Sequence, residues 1–432
     1  MTQHPWIRDY LLLCLRLDLS LAAQGASPFV DSYYGPPELK EQAQAEGPQP
    51  LAGHLQAARR LLDRLPGQDF EPQRAAFLEK QVRALETASR IFSGEQLSLE
   101  ERLRGCLDVA PQAKPEADLE RALKLLDQAL PGKGNLKERF QRWRELNTLP
   151  PEKAPLAVDL MQRMLAEARR RTQALVELPE GEGLEVHTIQ DKGYSAANWY
   201  LGGYRSRLEL NTGRPVDLSI LLYQMCHEGY PGHHTEYCLK EALLYHQLGR
   251  EEMCMYILSP QTVISEGIAT LAFEAVFDPQ EAAGWMTENV YRPLGILPNK
   301  GLPNKGLPDK GLPNKGLPDK GPAGDVDLAT LYTAFSLGRA DDLGNNLILL
   351  MERGFSEAQL VEYAMTYTLQ PEDRVRQWLE YLRGPLAQIY NFSYYHGARL
   401  VQPLIQGEHR EDAFRRVLTE QVYPSLLEAW TR

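Results

Sequence analysis

Cys226-His227-Glu228-Gly229-Tyr230-Pro231-Gly232-His233-His234 is the stretch on which the reading of this chain turns, with Ser265-Glu266-Gly267 following it downstream. A His-Glu pair with further histidines close behind, and a glutamate on a later helix, provides the parts of a zinc hydrolase: two imidazole ligands, one carboxylate ligand, and one carboxylate left over as general base.

The spacing adds a structural demand. In His-Glu-x-x-His the two histidines stand four apart, on one helix face and close enough to share a metal. Here the second histidine comes six or seven residues after the first. On an undistorted helix a spacing of six turns the side chains about 120° apart, and a spacing of seven separates them by about 10 Å along the axis. Neither brings two nitrogens to about 2.0 to 2.1 Å from one zinc. The helix is therefore expected to break between His227 and His233, and Pro231-Gly232 is the cause: proline lacks an amide donor and clashes one turn back, and glycine permits unusual dihedrals. On this reading His227, His233 and Glu266 hold zinc, with His234 as an alternative ligand or a support behind the ligands, and Glu228 is the base. Glu266 lies in a strongly apolar stretch, Thr262 to Phe277. A buried carboxylate there is costly unless it is paired, protonated or on a metal. Glu274, two turns further on, is the alternative carboxylate.

The motif His-Glu-x-x-Pro-Gly-His-His resembles the signature of the bacterial family filed as domain of unknown function 885, which is grouped by similarity with the gluzincin metallopeptidases. Ser265-Glu266-Gly267-Ile268-Ala269 is similar to that family's Glu-Gly-Trp-Ala segment. Leu382-Arg383-Gly384-Pro385 and Ser393-Tyr394-Tyr395-His396-Gly397 resemble its Arg-x-x-x-Pro and Ser-Tyr-x-x-Gly segments, in the same order. The resemblance spans about residues 195 to 405. It implies that Tyr394 or Tyr395, with His396 nearby, donates to the developing oxyanion. It also implies that an edge strand ahead of the metal helix binds substrate backbone. The chain departs from the family where relatives often show an Asp and a His before the Gly354-Phe355-Ser356 turn: Leu347 and Met351 stand there. It is also shorter than the typical member, chiefly on its N-terminal side.

Outward from the motif, the predicted fold is mainly α: a large multi-helix, zincin-like body with a small antiparallel sheet preceding the metal-binding helix. Val186 to Ile189 and Arg207 to Asn211 alternate as strands do, with Tyr194 to Leu201 and a Gly202-Gly203 turn between them. Asp217 caps a helix running through Leu218 to His227, with Leu221, Leu222 and Met225 on its buried face. Four regions follow: an N-terminal helical region 1–180, the sheet and metal-binding helices 181–295, a low-complexity loop 296–324, and a C-terminal helical region 325–432 on the same body. Apolar periodicity predicts helices at 53–65, 69–92, 97–109, 116–130, 136–146 and 154–177, and again at 326–352, 356–368, 371–383, 385–406 and 409–430. The loop 296–324 carries a pentapeptide tandem of the type Gly-Leu-Pro-Asn-Lys. Proline and glycine in every unit preclude helix and central strand, and one leucine per unit leaves little to bury, so a mobile surface insert is expected.

Composition narrows the function classes. The 432 residues carry a net charge of −11 with no clustered basic face, which argues against nucleic acid. No run of 18 apolar residues exists, so no membrane span is expected. Tyr10 to Leu15 could pass for the apolar part of a signal peptide, but Arg16 and Asp18 interrupt it and an amphipathic helix fits better. Five scattered cysteines suit a reducing compartment, hence a cytoplasmic protein, with Cys226 and Cys238 as small buried residues. Phe29 to Pro37 is an aromatic-rich connector that could line a cleft, and Arg169-Arg170-Arg171 is a solvated helix face. Three functions remain: a zinc-dependent peptidase, another metal-dependent amide hydrolase, or an inactive helical scaffold descended from such an enzyme. The expected partner is accordingly a peptide or small amide substrate.

Overall fold

The computed structural model describes residues 4–26, 28–190, 192, 194–252, 255–296, 326–406 and 410–430, so the pentapeptide tandem beyond Ile296 and Cys254 lie outside the described residues. Helix ends follow local chemistry. Pro5, Pro37 and Pro72 open helices at the first helical position, where proline's missing N–H costs nothing. Ser98, Asn135 and Ser356 form reciprocal capping boxes with Glu101, Glu138 and Gln359. The fold is mainly α, as expected, with a small sheet ahead of the motif helix. Three predicted helices are divided: 326–352 at Gly338-Arg339, 385–406 at Asn391, and 409–430 before Pro424.

Two hydrophobic cores organise the helices. The first is built by Pro5–Ala22, Leu51–Arg64, Pro72–Phe92 and Leu99–Leu107, and is closed by Glu357–Thr368, Glu372–Leu382, Phe392–Gln406 and Arg410–Thr419. The second gathers Glu116–Ala129, Leu136–Leu146, Ala154–Thr172 and the sheet. The region 1–180 therefore contributes to both. Three helices carry the motif residues: Pro260–Thr270 buries Val263, Ile264 and Ile268 in the first core, His233–Lys240 adds Leu239 to it, and Leu218–Glu228 buries Leu221, Leu222 and Met225 in the second. The motif residues stand at the seam. Leu347 is fully buried in the first core and Met351 packs against it, so both are packing positions.

The main sheet has three strands in the order Gly183–Ile189, Arg205–Asn211, Ala196–Gly202. The last two form the expected antiparallel hairpin, turned by Gly202, Gly203 and Tyr204, all at positive φ. Gly183–Ile189 adds to the other side of the central strand in parallel. Ala196–Gly202 thus keeps one edge without a strand partner among the described residues. A shorter pair joins Val30–Ser32 to residues 255–256. Asp18 in the first helix fastens that strand, accepting the N–H groups of Phe29 and Val30 at 2.7 and 2.9 Å.

Helices Pro260–Thr270 and Phe392–Gln406 cross with Gly267 against Gly397. A Cβ on Gly267 would lie 2.4 Å from the Gly397 carbonyl oxygen, and one on Gly397 2.2 Å from that of Val263. Only glycine permits so close a crossing. It brings the tyrosines before Gly397 against the glutamate before Gly267.

Candidate metal centre

The motif helix Leu218–Glu228 is capped by Asp217, whose carboxylate accepts the Ser219 N–H. It ends at Gly229, and a new helix starts at His233 with Gly232 as its cap. The expected break lies between the two histidines, with Pro231 following a cis peptide bond. A Cβ on Gly232 would fall 1.9 Å from the His227 carbonyl oxygen, so this fold-back also requires glycine.

The consequence is convergence. His227, His233 and Glu266 each offer a ligand atom within 4.8 Å of the others. Nε2 of His227 lies 3.6 Å from Glu266 Oε2, and Nε2 of His233 lies 3.7 Å from Glu266 Oε1. Tetrahedral bonds of 2.0 to 2.1 Å imply ligand separations of about 3.4 Å, so each histidine stands close to zinc-ligand spacing from one oxygen of Glu266. Glu266 is 5% exposed and its Oε2 has no hydrogen-bond partner. Such a carboxylate lacks a cation. Burial, aggravated by the charges of Glu228, Asp31 and Asp341, pushes its pKa well up against the hydrogen bond it accepts from Tyr390. Burial likewise drives His227 well down, helped by His233, and drives His233 to about 4, so both rings are neutral and able to ligate.

The supporting contacts fix which nitrogen points inward. Ser265 Oγ donates to Glu236 Oε2 at 2.5 Å, which leaves its oxygen to accept from His233 Nδ1–H at 3.1 Å. That tautomer presents the Nε2 lone pair to the centre. Lys240 completes the chain by donating to Glu236. Tyr390 donates to Glu266 Oε1 at 2.6 Å, and Tyr394 donates to Tyr390 at 3.3 Å.

The remaining motif residues separate. His234 is fully buried and both its nitrogens are engaged, Nδ1 with Ser206 Oγ at 2.8 Å and Nε2 with Glu182 Oε2 at 2.9 Å. It ties the second histidine helix to the sheet and stands outside the triad, so His233 is the histidine that joins His227. Glu274 pairs with Arg339 at 3.2 Å and also lies outside. Of Tyr394, Tyr395 and His396, only Tyr394 lines the cleft. His396 is buried against Phe392 and Tyr395, and burial with Arg399 nearby lowers its pKa to about 3. Tyr395 and His396 follow Tyr394 by one and two residues, which rotates them about 100° and 200° away around the helix. The arginine run is not the solvated face expected: only Arg170 is exposed, paired with Glu167, while Arg171 is partly buried over Phe277 and pairs with Glu167 and Glu281, and Arg169 pairs with the buried Glu182. Cys226 and Cys238 are buried and free.

A cleft of about 750 Å³ opens over the triad. Glu228, beside His227, faces it, and burial, with Asp31 nearby, raises its carboxyl to about 8. A dication at the three ligands would act in the opposite direction. The free edge of Ala196–Gly202 forms one wall through Ala196, Ala197, Asn198 and Trp199. Asn198 also fastens this edge to the motif helix through its side-chain bond to the Glu228 carbonyl oxygen. Tyr381, Tyr390 and Tyr394 stand in the lining, as does Asp31 from the aromatic-rich connector. Sequence reading did not select Tyr390 or Asp31. An i, i+4 pairing with Tyr394 was the available signal for the first; for the second, the aromatic-rich Phe29 to Pro37 connector pointed to a cleft wall, but nothing local singles out its aspartate.

No family model matches the chain, and no curated protein matches it. Among solved structures it is similar to "the putative lipoprotein from Colwellia psychrerythraea", at a TM-score of 0.50 and 13% identity over 88% of this chain and 69% of that one. It is also similar to "a putative lipoprotein of unknown function from Shewanella oneidensis", at a TM-score of 0.48 and 11% identity over 91% and 76% of the two chains. At such identity the likeness to the Colwellia protein is one of fold. No helix among the described residues is long and apolar enough to cross a membrane.

Proposed function

We propose that the protein is a metal-dependent hydrolase of peptide bonds, with zinc held by His227, His233 and Glu266. The observation that carries this reading is a buried, cation-deficient carboxylate with an unpartnered oxygen, set against two neutral imidazoles at near-ligand spacing, with the Glu228 carboxyl facing the same cleft. When bound, zinc would supply Lewis-acid chemistry and lower the pKa of water towards 7. Glu228 takes the proton of the attacking water and returns it to the leaving amine. The free edge of Ala196–Gly202 offers backbone groups to an extended substrate, the mode of strand addition that suits a peptide. Tyr394, whose 3.3 Å bond to Tyr390 is the longer of the two, can turn its hydroxyl to a developing oxyanion, whereas the Tyr390 proton is held by Glu266 at 2.6 Å. Metal quantification on protein purified without a metal-affinity column, followed by digestion of a peptide library, tests the proposal. About one zinc per chain together with cleavage supports it. Protein that neither holds nor takes up zinc ends it.

A further inference from the structure

Resting on that reading, the charge distribution of the cleft says more about the substrate. Its described lining holds three carboxylates, Asp31, Glu228 and Glu266, and no lysine or arginine. A dication at the triad offsets the charges of Glu266 and Glu228. Asp31 is then left over. It accepts a hydrogen bond from a neutral donor, the Tyr237 hydroxyl at 2.8 Å. Tyr237 in turn stacks on His233 with ring centroids 6.1 Å apart, so Asp31 stands one tyrosine away from the metal centre. Burial raises the Asp31 pKa, against the bond from Tyr237. A carboxylate kept in a cleft with no cationic partner among the described residues costs stability unless a ligand supplies the charge.

The surrounding backbone makes this position a fixed one. Asp31 sits in Val30–Ser32, held by Asp18 from one side and by residues 255–256 from the other. The same strand packs against Ala196–Gly202. Tyr34, just beyond it, sets its ring edge-on to Tyr200 at 5.4 Å, which places the segment towards the Tyr200 end of that free edge. A peptide laid along Ala196–Trp199 therefore meets Asp31 at one end of its run. The preferred antiparallel addition would turn the peptide's amino end that way.

We propose that Asp31 is a specificity-determining residue that receives an ammonium group of the substrate, and that the substrate class is peptides with a free amino terminus near the scissile bond. The shared chemistry with a lysine side chain is resolved by experiment. Using zinc-loaded full-length protein carrying Glu228→Gln, which binds without turnover, calorimetry compares a tetrapeptide having a free amino terminus with its N-acetylated form. The free peptide is expected to bind at least about tenfold more tightly, as a buried charge pair requires. Adding Asp31→Asn should bring the ratio close to one with zinc content unchanged. Tyr237→Phe should keep the preference, since the carboxylate remains. An N-acetylated peptide with lysine at its first position separates the two sources: restored binding would assign the site to a side-chain ammonium and overturn the amino-terminal claim. A ratio near one in the Asp31-containing protein, no measurable binding of the free peptide, or an unchanged ratio after Asp31→Asn overturns the proposal outright. Preferential binding without any hydrolysis by protein retaining Glu228 would instead sink the peptidase reading and leave the recognition site standing.

Discussion

His233 and His234 are neighbours in the chain, both buried, and each sets its Nδ1 against a serine hydroxyl, Ser265 for one and Ser206 for the other. They differ in what meets Nε2. For His234 it is Glu182 at hydrogen-bond distance, in a cluster where Tyr230 and Arg169 occupy the same carboxylate at 2.6 Å each. For His233 it is Glu266 at 3.7 Å, with no hydrogen bond and an unpartnered oxygen close by. A satisfied buried network holds a fold together, whereas one short of a positive charge is a site awaiting something. The contrast assigns the two adjacent imidazoles opposite tasks, structure for one and ligation for the other.

The largest test of that contrast is metal content. His227→Ala or Glu266→Gln is expected to take zinc from about one per chain to almost none, measured by elemental analysis, whereas His234→Ala should keep it. Equal loss from all three variants would erase the distinction. Next in size is catalysis. Glu228→Gln retains the shape and hydrogen-bonding capacity of the side chain without a proton-accepting carboxylate. Zinc and stability should persist while peptide hydrolysis drops by a factor on the order of 100 or more. If the variant sheds its metal, Glu228 is a ligand and the roles must be redrawn.

How far these assignments could be read from the sequence depends on the range of the interaction. The break at Pro231-Gly232 was legible, because a spacing of six cannot serve one metal on a continuous helix and the breaker stands inside the gap. Glu266 was legible because a carboxylate in an apolar helix demands a partner. The helices and the hairpin came from periodicity and turn residues, both local. The choice between His233 and His234 was not legible, since it is made by Ser206 and Glu182, far off in the chain. The tyrosine segment was located by resemblance, but resemblance does not fix which helix face meets the cleft, hence Tyr395 and His396 were wrongly grouped with Tyr394. Asp31 needs the packing of Val30–Ser32 against a strand some 165 residues later, a distance visible only after folding. The two cores draw on interleaved segments, so linear boundaries such as 180 do not mark them.

The structural side of the contrast predicts stability effects. His234→Ala leaves Glu182, whose side chain is 1% exposed, without one of its three partners, and should cost about 3 kcal/mol, seen as a lower urea midpoint at constant slope. A shift below about 0.5 kcal/mol would show the network to be dispensable. The same carboxylate governs part of the acid limb. Burial acts to raise its pKa, but hydrogen bonds from His234, Tyr230 and Arg169 outweigh this and hold it at about 2, against an ordinary 4.5. Because the folded value is the depressed one, the stabilisation is fully present above about pH 4.5 and is lost as pH falls towards 2, at most about 3 kcal/mol at 1.36 kcal/mol per unit. Glu182→Gln should flatten stability against pH in that window. An unchanged acid limb would place the titrating carboxylate elsewhere.

The smallest effect tests the two histidines through their serines alone. Ser265→Ala removes the acceptor for His233 Nδ1–H and frees Glu236 from one donor, while Lys240 still neutralises that carboxylate. The His233 ring then loses its fixed tautomer and orientation, and removal of such supporting partners weakens metal binding by about 10-fold to 100-fold. The low end of that range is expected here, because the ring stays clamped by burial and by Tyr237 stacked on it. Ser206→Ala deletes the equivalent bond to His234, yet Glu182 still holds that ring through Nε2, so zinc affinity should not move and stability should fall by about 1 kcal/mol. Zinc affinity measured by competition with a chelator, beside denaturant titration of the metal-free protein, gives both numbers for both variants. The crossed outcome, Ser206→Ala weakening zinc and Ser265→Ala leaving it alone, would exchange the roles of the two histidines.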